Sequence, residues 1–503
     1  MKILILVAAV ALLSGNVSSL EGESMLSQSN FVLLPVKNDL TISFRIWFKV
    51  GSQNDPRGKE GLASITASML TEASTRNHSY EQIIEKLYPL ASDYSAVSGV
   101  EMTVVYGRTH QDNVKEYYPL LMDAILRPAF KQEDLDRIRS RVLNELENNL
   151  RYSSDEELGK AVLYNSVFDG TPYGHIPHGT ISAVKSVTLE DVRKFYRTYY
   201  TVGNVIVGVG GCYEPSLVES LRKDLGDLPA GRPELVAKPN ARPINGLEVT
   251  IVEKDAASTA ISAGFPIDVV RGSKDWYALA IANSWLGEHR NSSSHLYQVI
   301  REERGLNYGD YSYIEHYPNG GRLQIPPQNA SRRQQIFEVW IRPVPNGTRL
   351  FALRAAVREL QRLVEHGMSK SEFELTRSFL KKYILNYAPS TMQRLGYALD
   401  DRFYGIQESH LTLFHRMLET LTLEDVNAAL KKHLAYHNMK IAIVTKDASA
   451  QKSALIADTP SPISYNTPKS ESVLSEDKEI AVFPLKINAS HITIIPVNSL
   501  FEK

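Results

Sequence analysis

Cysteine is nearly absent from this chain, and its scarcity limits how the fold can be stabilised. Cys212 is the only cysteine among 503 residues, so no disulfide can form within one molecule. Core packing must therefore hold the fold together, and a hydrophobic content of 43% is sufficient for that. At roughly 150 residues per domain, the length indicates two to four domains. No histidine accompanies Cys212 in its sequence neighbourhood, so we interpret it as a strand-end residue rather than a nucleophile.

The chain also lacks long apolar runs and an excess of either charge. Its N-terminal run, Ile3 to Leu13, is shorter than the roughly 18 residues of a membrane span. With Met1-Lys2 before it and small residues after it, the run is typical of a signal peptide, predicted here as residues 1–19. The 56 basic and 57 acidic residues argue against binding to nucleic acid or a membrane surface. We expect export to a bacterial periplasm, because disulfide-free chains are less typical of animal secretion, and no membrane insertion after signal removal.

Proline and glycine divide the chain into segments. Residues 231–246 are rich in proline and lack periodicity, which indicates an inter-domain linker. A second proline-rich stretch begins at Pro460. The predicted domains are therefore residues 20–230 and 247–458, and residues 459–503 are predicted to form a linker and C-terminal tail, with strands in its apolar runs.

The two predicted domains share a sequence repeat. Thr188–Val192 and Thr422–Val426 both have the sequence Thr-Leu-Glu-Asp-Val, at an offset of 234 residues. Each pentapeptide begins a helix in the pattern of a capping box, with Thr at the N-cap and Asp three residues later. Asn204 and Asn438 follow at the same offset, and a β-rich run follows each of them. The matching sequence, spacing and following strand favour an internal duplication.

Strands and helices are both predicted within each half. Ile42–Phe48 alternates apolar and polar residues, as a half-buried strand does, whereas residues 131–152 and 369–386 have helical periodicity. Each half is therefore predicted to be an α+β domain with helices on one face of a sheet. Gly208–Gly211 does not complete a dinucleotide-binding glycine pattern, so no nucleotide site is predicted there.

A helix with one small, uncharged face is predicted at residues 61–70. Apolar residues recur there at helical spacing, while Ser64, Ala67 and Ser68 share another face at i, i+3 and i+4. With the flanking Gly51-Ser52 and Gly58–Ala63, this stretch resembles the zinc-helix region of the insulinase and pitrilysin family of zinc peptidases.

The resemblance extends from about residue 31 to about residue 445 and implies two homologous α/β-sandwich domains that form half of a clam-shell chamber. In the family the zinc helix carries His-x-x-Glu-His, in which two histidines bind zinc and the glutamate activates water. The resemblance places Ser64 and Ser68 at the histidine positions, Ala67 at the glutamate position, and Glu145 at the third ligand. Because zinc needs three protein ligands and only one remains, we expect no zinc on this chain.

Two further pairs of histidines are candidates for metal ligands. His175 and His178 lie in a loop containing glycine and proline, with no carboxylate spaced to complete a site. His289 and His295 are placed in a polar loop. Neither pair predicts a metal site.

A second family signature lies in the other half. Arg301 and Tyr308, with Gly305-Leu306 between them, resemble the Arg/Tyr pair that in relatives reaches toward the zinc helix of the opposite domain. Tyrosine can donate a hydrogen bond to the carbonyl oxygen on which charge develops, and arginine can hold substrate carbonyls. Arg304, only four residues before Tyr308, is the weaker candidate. Without the resemblance, Arg301 would be interpreted as a surface charge and Tyr308 as a packed strand aromatic.

Three functional hypotheses follow. The leading one is a non-catalytic subunit of a heterodimeric zinc peptidase, in which a homologous partner with an intact His-x-x-Glu-His motif carries zinc and this chain contributes Arg301 and Tyr308. The substrate would be a peptide or an unfolded polypeptide. The alternative is a stand-alone peptide-binding or scaffold protein that does not cleave. A self-sufficient zinc peptidase with displaced ligands is the third, and it requires near-stoichiometric zinc.

Overall fold

The computed structural model describes residues 26–317 and 325–503, so the predicted signal peptide lies outside the described residues. Two sheets organise the described chain. The first sheet contains β1 (Phe31–Pro35), β2 (Thr41–Phe48), β3 (Asp93–Ser98), β4 (Thr103–His110) and β5 (Val205–Gly211). The second contains β6 (Leu247–Glu253), β7 (Ser258–Ile267), β8 (Asp310–Tyr313), β9 (Gln335–Pro345), β10 (Met439–Thr445) and β11 (Ile492–Pro496).

Helices follow the strands in each half and in the tail. Those of the first half are α1 (Leu62–Thr71), α2 (Tyr80–Leu87), α3 (Val114–Leu126), α4 (Gln132–Asn144), α5 (Asp155–Val167), α6 (Ile181–Ser186), α7 (Leu189–Tyr199) and α8 (Pro215–Asp224). Those of the second half and tail are α9 (Lys274–Gly287), α10 (Arg349–His366), α11 (Lys370–Tyr383), α12 (Thr391–Tyr404), α13 (His410–Thr420), α14 (Leu423–His433), α15 (Ala448–Ile456) and α16 (Glu471–Ala481). None of these helices combines the length and apolar character needed to span a bilayer.

The two sheets repeat one topology, so the predicted α+β class with antiparallel-rich sheets is confirmed. Their strand orders are β1-β5-β2-β4-β3 and β11-β6-β10-β7-β9-β8. The order is therefore the same in both, with β11 added beside β6. β1 pairs in parallel with β5, as β6 does with β10, and the inner pairs are antiparallel. The offset of 234 residues also relates β5 to β10 and α7 to α14, and both helices begin with a capping box.

The halves exchange helices across their interface. α5 of the first half packs on β7 and β10 of the second sheet, and α12 of the second half packs on β1, β2 and β5 of the first. Each sheet is thus covered on its second face by a helix from the other half, which the expectation of helices on one face did not include. A shared apolar cluster, including Trp47, Ile206, Leu395 and Leu399, fills the contact under α12.

The glycines of β5 permit this close contact. A Cβ on Gly208 would lie 2.7 Å from Leu399 Cδ1 and 3.2 Å from the Arg45 carbonyl oxygen, and a Cβ on Gly210 would lie 3.0 Å from Thr391 Cγ2. Gly208–Gly211 is therefore part of a buried strand that accepts a helix, and it forms no phosphate-binding loop.

The tail joins both halves. α16 packs on α10, and β11 extends the second sheet beside β6. Beyond β11, Phe501 is buried in the first half's core, and its carbonyl accepts the Ile181 amide of α6 at 2.7 Å. Of the two apolar runs expected to form strands, only the second does so: residues 480–481 end α16, and residues 482–487 form neither a helix nor a strand.

We expect Gly208→Val to destabilise the fold by about 1–3 kcal/mol, the usual cost of forcing extra methyl groups into a packed contact. Gly226→Val is the matched control, because a Cβ there meets nothing within 4 Å. Urea unfolding of the two variants measures the difference. Equal stabilities would contradict the close contact of α12 with β5.

Candidate functional site

A buried carboxylate fixes the start of α1. Asp55 Oδ2 accepts the Gly61 amide at 2.7 Å, and Oδ1 accepts the Ala63 amide at 2.7 Å, which satisfies two donors at the helix N-terminus. Burial raises the pKa of Asp55 well above its usual range, and the two amide hydrogen bonds oppose that rise. Gly61 has φ = 101°, and a Cβ there would lie 2.6 Å from the His178 carbonyl oxygen. Position 61 therefore requires glycine, and the His178 loop lies against the start of α1.

The α1 face at which the resemblance implies zinc is occupied by a cation from the protein. Ser68 Oγ donates to Glu72 Oε1 at 3.2 Å and accepts from Arg141 Nη2 at 3.1 Å. Arg141 also forms an ion pair with Glu72. Ala67 is 2% exposed and offers no donor atom, and the Ser64 hydroxyl forms no hydrogen bond within the described residues. Arg141 thus supplies a positive charge to this face.

Glu145 lies one helical turn beyond Arg141. It begins a π-helical segment, Glu145–Ser153, that continues α4, and its carboxylate accepts from Asn149 Nδ2 at 2.7 Å. Glu145 and Arg141 both lie close enough to act on His178: desolvation lowers the pKa of His178, the Glu145 carboxylate opposes this, and Arg141 adds to it. The structure therefore groups Ser68, Glu72, Arg141, Glu145 and the His178 loop.

The residues of this group do not fit a zinc ion. Two serine hydroxyls are poor neutral ligands, Glu145 is engaged with Asn149, and a guanidinium is bonded to Ser68. No cluster of three or more His, Cys, Asp or Glu side chains that could hold a metal occurs among residues 26–317 and 325–503. At the glutamate position of the motif stands Ala67, whose side chain carries no acid or base.

Arg301 and Tyr308 lie on the surface of the second half. Arg301 is in another π-helical segment, Tyr297–Glu302, where it forms an ion pair with Glu302 and lies 5.2 Å from the Tyr297 ring centroid. Tyr308 is in the loop before β8 and is 79% exposed, so it is not a packed strand aromatic. Its hydroxyl forms no hydrogen bond within the described chain. No hydrogen bond or ring contact joins Arg301 to Tyr308, or either residue to the α1 group.

Arg304 has a structural role. Its side chain is fully buried and donates to Glu476 and Asp477 of α16, in each case at 2.8 Å. It also donates to the Val299 carbonyl at 2.8 Å and to Glu303 Oε2 at 2.9 Å. Arg304 therefore fixes the tail to the segment that carries Arg301.

His289 lies in a loop, as predicted, but its side chain is buried, whereas His295 begins a helical segment and does not lie in a loop. His289 is 6% exposed, its Nδ1 is 2.5 Å from the Tyr313 hydroxyl, and Tyr311 and Tyr317 surround its ring, because this loop folds under β8. His295 stacks on Trp285 and bonds to Glu359 at 2.7 Å.

Sequence reasoning missed Glu72, Arg141 and His178 as neighbours of the α1 face. Two of them carried a usable signal: Glu72 follows Ser68 by four residues, and Arg141 precedes Glu145 by four, so each shares a helical face with a predicted site residue. His178 comes from a separate loop, and no local pattern connects it to α1.

Comparison with known proteins matches both halves to one family. The family model described as insulinase (peptidase family M16) matches residues 32–176, and the model described as peptidase M16 inactive domain matches residues 186–380. The chain therefore belongs to the M16 (insulinase) family of peptidases, as its resemblance indicated, although it has no His-x-x-Glu-His motif.

Individual relatives agree with this assignment. An uncharacterized zinc protease of Mycobacterium tuberculosis is 24% identical over 410 residues, covering 80% of this chain and 87% of the relative. One of Bacillus subtilis is 21% identical over 422 residues, covering 83% and 96%. The crystal structure of a peptidase M16 inactive domain from Pseudomonas fluorescens superposes with a TM-score of 0.72 at 22% identity, covering 83% and 95%. A protease from Helicobacter pylori gives 0.70 at 19% identity, covering 82% and 96%, and these superpositions show the shared fold.

Restoring histidines tests whether Glu145 belongs to the α1 group. We expect the double variant Ser64→His/Ser68→His to bind zinc measurably, because two imidazoles and Glu145 supply three ligands, whereas the unaltered chain binds none. Adding Glu145→Gln should weaken zinc binding by more than about tenfold, the cost of disturbing even an outer-sphere partner.

Glu147→Gln in the same double variant is the control, because Glu147 lies on the same segment but pairs with Lys185 at 2.9 Å. Isothermal titration with zinc measures all four proteins. Equal zinc affinity with and without Glu145 would place that carboxylate outside the group.

Proposed function

We propose that this chain is the exported, non-catalytic subunit of a heterodimeric zinc metallopeptidase of the insulinase and pitrilysin type, acting in the periplasm. A homologous partner with an intact His-x-x-Glu-His motif supplies zinc and the general base. This chain supplies half of the chamber wall, binds substrate, and contributes Arg301 and Tyr308 in trans. It holds no cofactor itself.

The observation that carries the proposal is the contrast between two surfaces. On α1, Ser68 is engaged by Arg141, so the face that would bind zinc is already bonded to a protein cation. Tyr308, in contrast, is 79% exposed and its hydroxyl is not used within the described chain. The α1 face has no zinc ligands on its helix, whereas Tyr308 presents a free hydrogen-bond donor. This is the division of roles expected of a two-chain enzyme.

The proposed chemistry of the pair follows from peptide hydrolysis. Attack on the scissile carbonyl places negative charge on its oxygen, and the Tyr308 hydroxyl can donate a hydrogen bond to that oxygen. Arg301 lies at the end of a π-helical segment, a distortion that occurs frequently at functional sites. Its guanidinium can hold carbonyl oxygens of the same substrate chain.

An extended peptide is the substrate that this fold suits. β8 ends the second sheet and begins two residues after Tyr308, so a strand added to β8 would pass beside that side chain. α1 packs beside β3, the corresponding end strand of the first sheet. Peptides and unfolded segments can add to such edges, whereas folded proteins present few free strands.

The test is peptide cleavage by this chain, by its partner, and by the mixture. We expect only the mixture to cleave at full rate, because this chain lacks a general base. Tyr308→Phe should lower kcat of the mixture by about 10²–10³, the usual cost of losing one oxyanion donor.

Tyr88→Phe is the matched control, since Tyr88 is 85% exposed in the first half and should leave the rate unchanged. An unaltered rate for Tyr308→Phe would refute its role in trans. Cleavage by this chain alone would refute a non-catalytic subunit. Tight peptide binding without any gain in cleavage on mixing would instead support a stand-alone scaffold.

A further inference from the structure

The two sheets differ at one edge: the second sheet has β11 beside β6, whereas β1, which corresponds to β6, has no strand of the described chain on its outer side. β11 pairs in parallel with Val249–Glu253 of β6, and those five residues pair with Ile441–Thr445 of β10. In the first sheet the corresponding residues of β5 are Val207–Gly211, at the offset of 234 residues, and they pair with Phe31–Pro35. All of β1 therefore matches the segment of β6 that receives β11, but β1 is the end strand of its sheet.

The matched residues of β6 and β1 differ in solvent exposure, as expected if β1 lacks a second neighbouring strand. Ile251, at the centre of the β6–β11 ladder, is 0% exposed, whereas Leu33, at the matched position of β1, is 37% exposed. Burying a leucine side chain is favourable, so an uncovered one on a strand edge favours association. Exposed strand edges also present unpaired amides and carbonyls that can template another strand.

Two cavities lie beside β1 on the side covered by α12. One, of about 490 Å³, is lined by Phe31 and Val32 together with Ala398 and Asp401. The other, of about 630 Å³, is lined by Leu34 and by the same Ala398 and Asp401. Alternate residues of a strand point to the same side about 6.6–6.8 Å apart. Two adjoining cavities, one beside Val32 and one beside Leu34, are spaced for alternate side chains of a strand added to β1.

The charges near the second cavity indicate which charge an added strand should carry there. Arg394 and His415 line it, and neither forms an ion pair within the described chain. Arg416 lines it too, but is paired with Glu408. Asp401, which lines both cavities, accepts the His410 amide through both oxygens, at 3.1 and 3.2 Å. The available charge is therefore positive, which favours an acidic residue on the strand near Leu34.

We propose that the free edge of β1 is a docking site for an extended segment of a partner protein, apolar at alternate positions and acidic at the end near Arg394. The segment adds in parallel, as β11 does in the other half. A second copy of this chain is a poorer occupant, because it brings the same basic rim. This site lies at the edge of the first sheet opposite β3 and requires neither zinc nor cleavage, so its test is independent of the proposed function.

A synthetic peptide measures the docking directly. The probe is fluorescein-labelled Asp-Ile-Thr-Ile-Ile-Glu-Asp, built on the β11 sequence, and its anisotropy is followed on titration with the full chain. N-methylation of single amides gives the decisive pattern. Because only alternate amides of an added strand face β1, methylation should weaken binding about tenfold at every second position, as loss of one hydrogen bond implies, and leave the others unchanged.

Protein variants locate the site. Leu33→Lys should weaken binding about tenfold, because one leucine contact is lost. Leu40→Lys is its matched control, since Leu40 is 55% exposed but lies after β1, and it should bind as the unaltered chain does. Arg394→Gln should weaken the acidic peptide but not a version with Asn and Gln in place of its acids. Circular dichroism melts establish that each variant is folded.

The possible outcomes separate the occupants. Alternating N-methyl effects with loss at Leu33 only establish the site. Binding without alternation, equal effects of Leu33→Lys and Leu40→Lys, or no binding at millimolar peptide would each overturn the proposal. Light scattering measures the oligomeric state. If the unaltered chain is a dimer and Leu33→Lys converts it to a monomer, a second copy of the chain is the occupant and the proposal is overturned.

Discussion

The packing of α12 across β5 is the contact on which the rest of the molecule depends. It is possible only because Gly208 and Gly210 leave room for Leu399 and Thr391. The reverse contact is made by α5 of the first half, which packs on β7 and β10 of the second sheet. Since each half supplies a layer of the other, the halves cannot open as independent domains without uncovering apolar sheet faces.

The α1 face carries a positive charge that comes from the protein itself. A zinc ion would give that face a positive charge surrounded by acceptors, and Arg141 with Glu72 and Ser68 gives it the same sign from within the protein. A guanidinium can bind carboxylates or carbonyls but cannot lower the pKa of water as a metal does. The face is therefore suited to binding, which is consistent with both a subunit and a scaffold.

Local sequence patterns predicted several elements but few of their contacts. The Thr-Leu-Glu-Asp-Val repeat, the strand at Ile42–Phe48 and the zinc-helix frame depend on spacing within a few residues, and the structure contains all three elements. Helix exchange, the buried position of His289 and the contact of His178 with α1 depend on residues far apart in sequence. The periodicity of residues 131–152 predicted a helix there, but nothing in the sequence indicated that Glu145–Ser153, or the segment that carries Arg301, is π-helical.

The tail shows how a duplicated fold becomes asymmetric. β11 completes the edge of the second sheet, and Phe501 then enters the first half's core, so one segment covers an edge and joins both halves. A chain end can complete only one of two equivalent edges. β1 therefore matches the part of β6 that pairs with β11, but no strand of the described chain pairs with its free edge. Leu33 of β1 is left with exposed apolar surface. Natural sheets usually protect such edges with charge, bulges or proline, and Pro35 at the end of β1 does so at one position only.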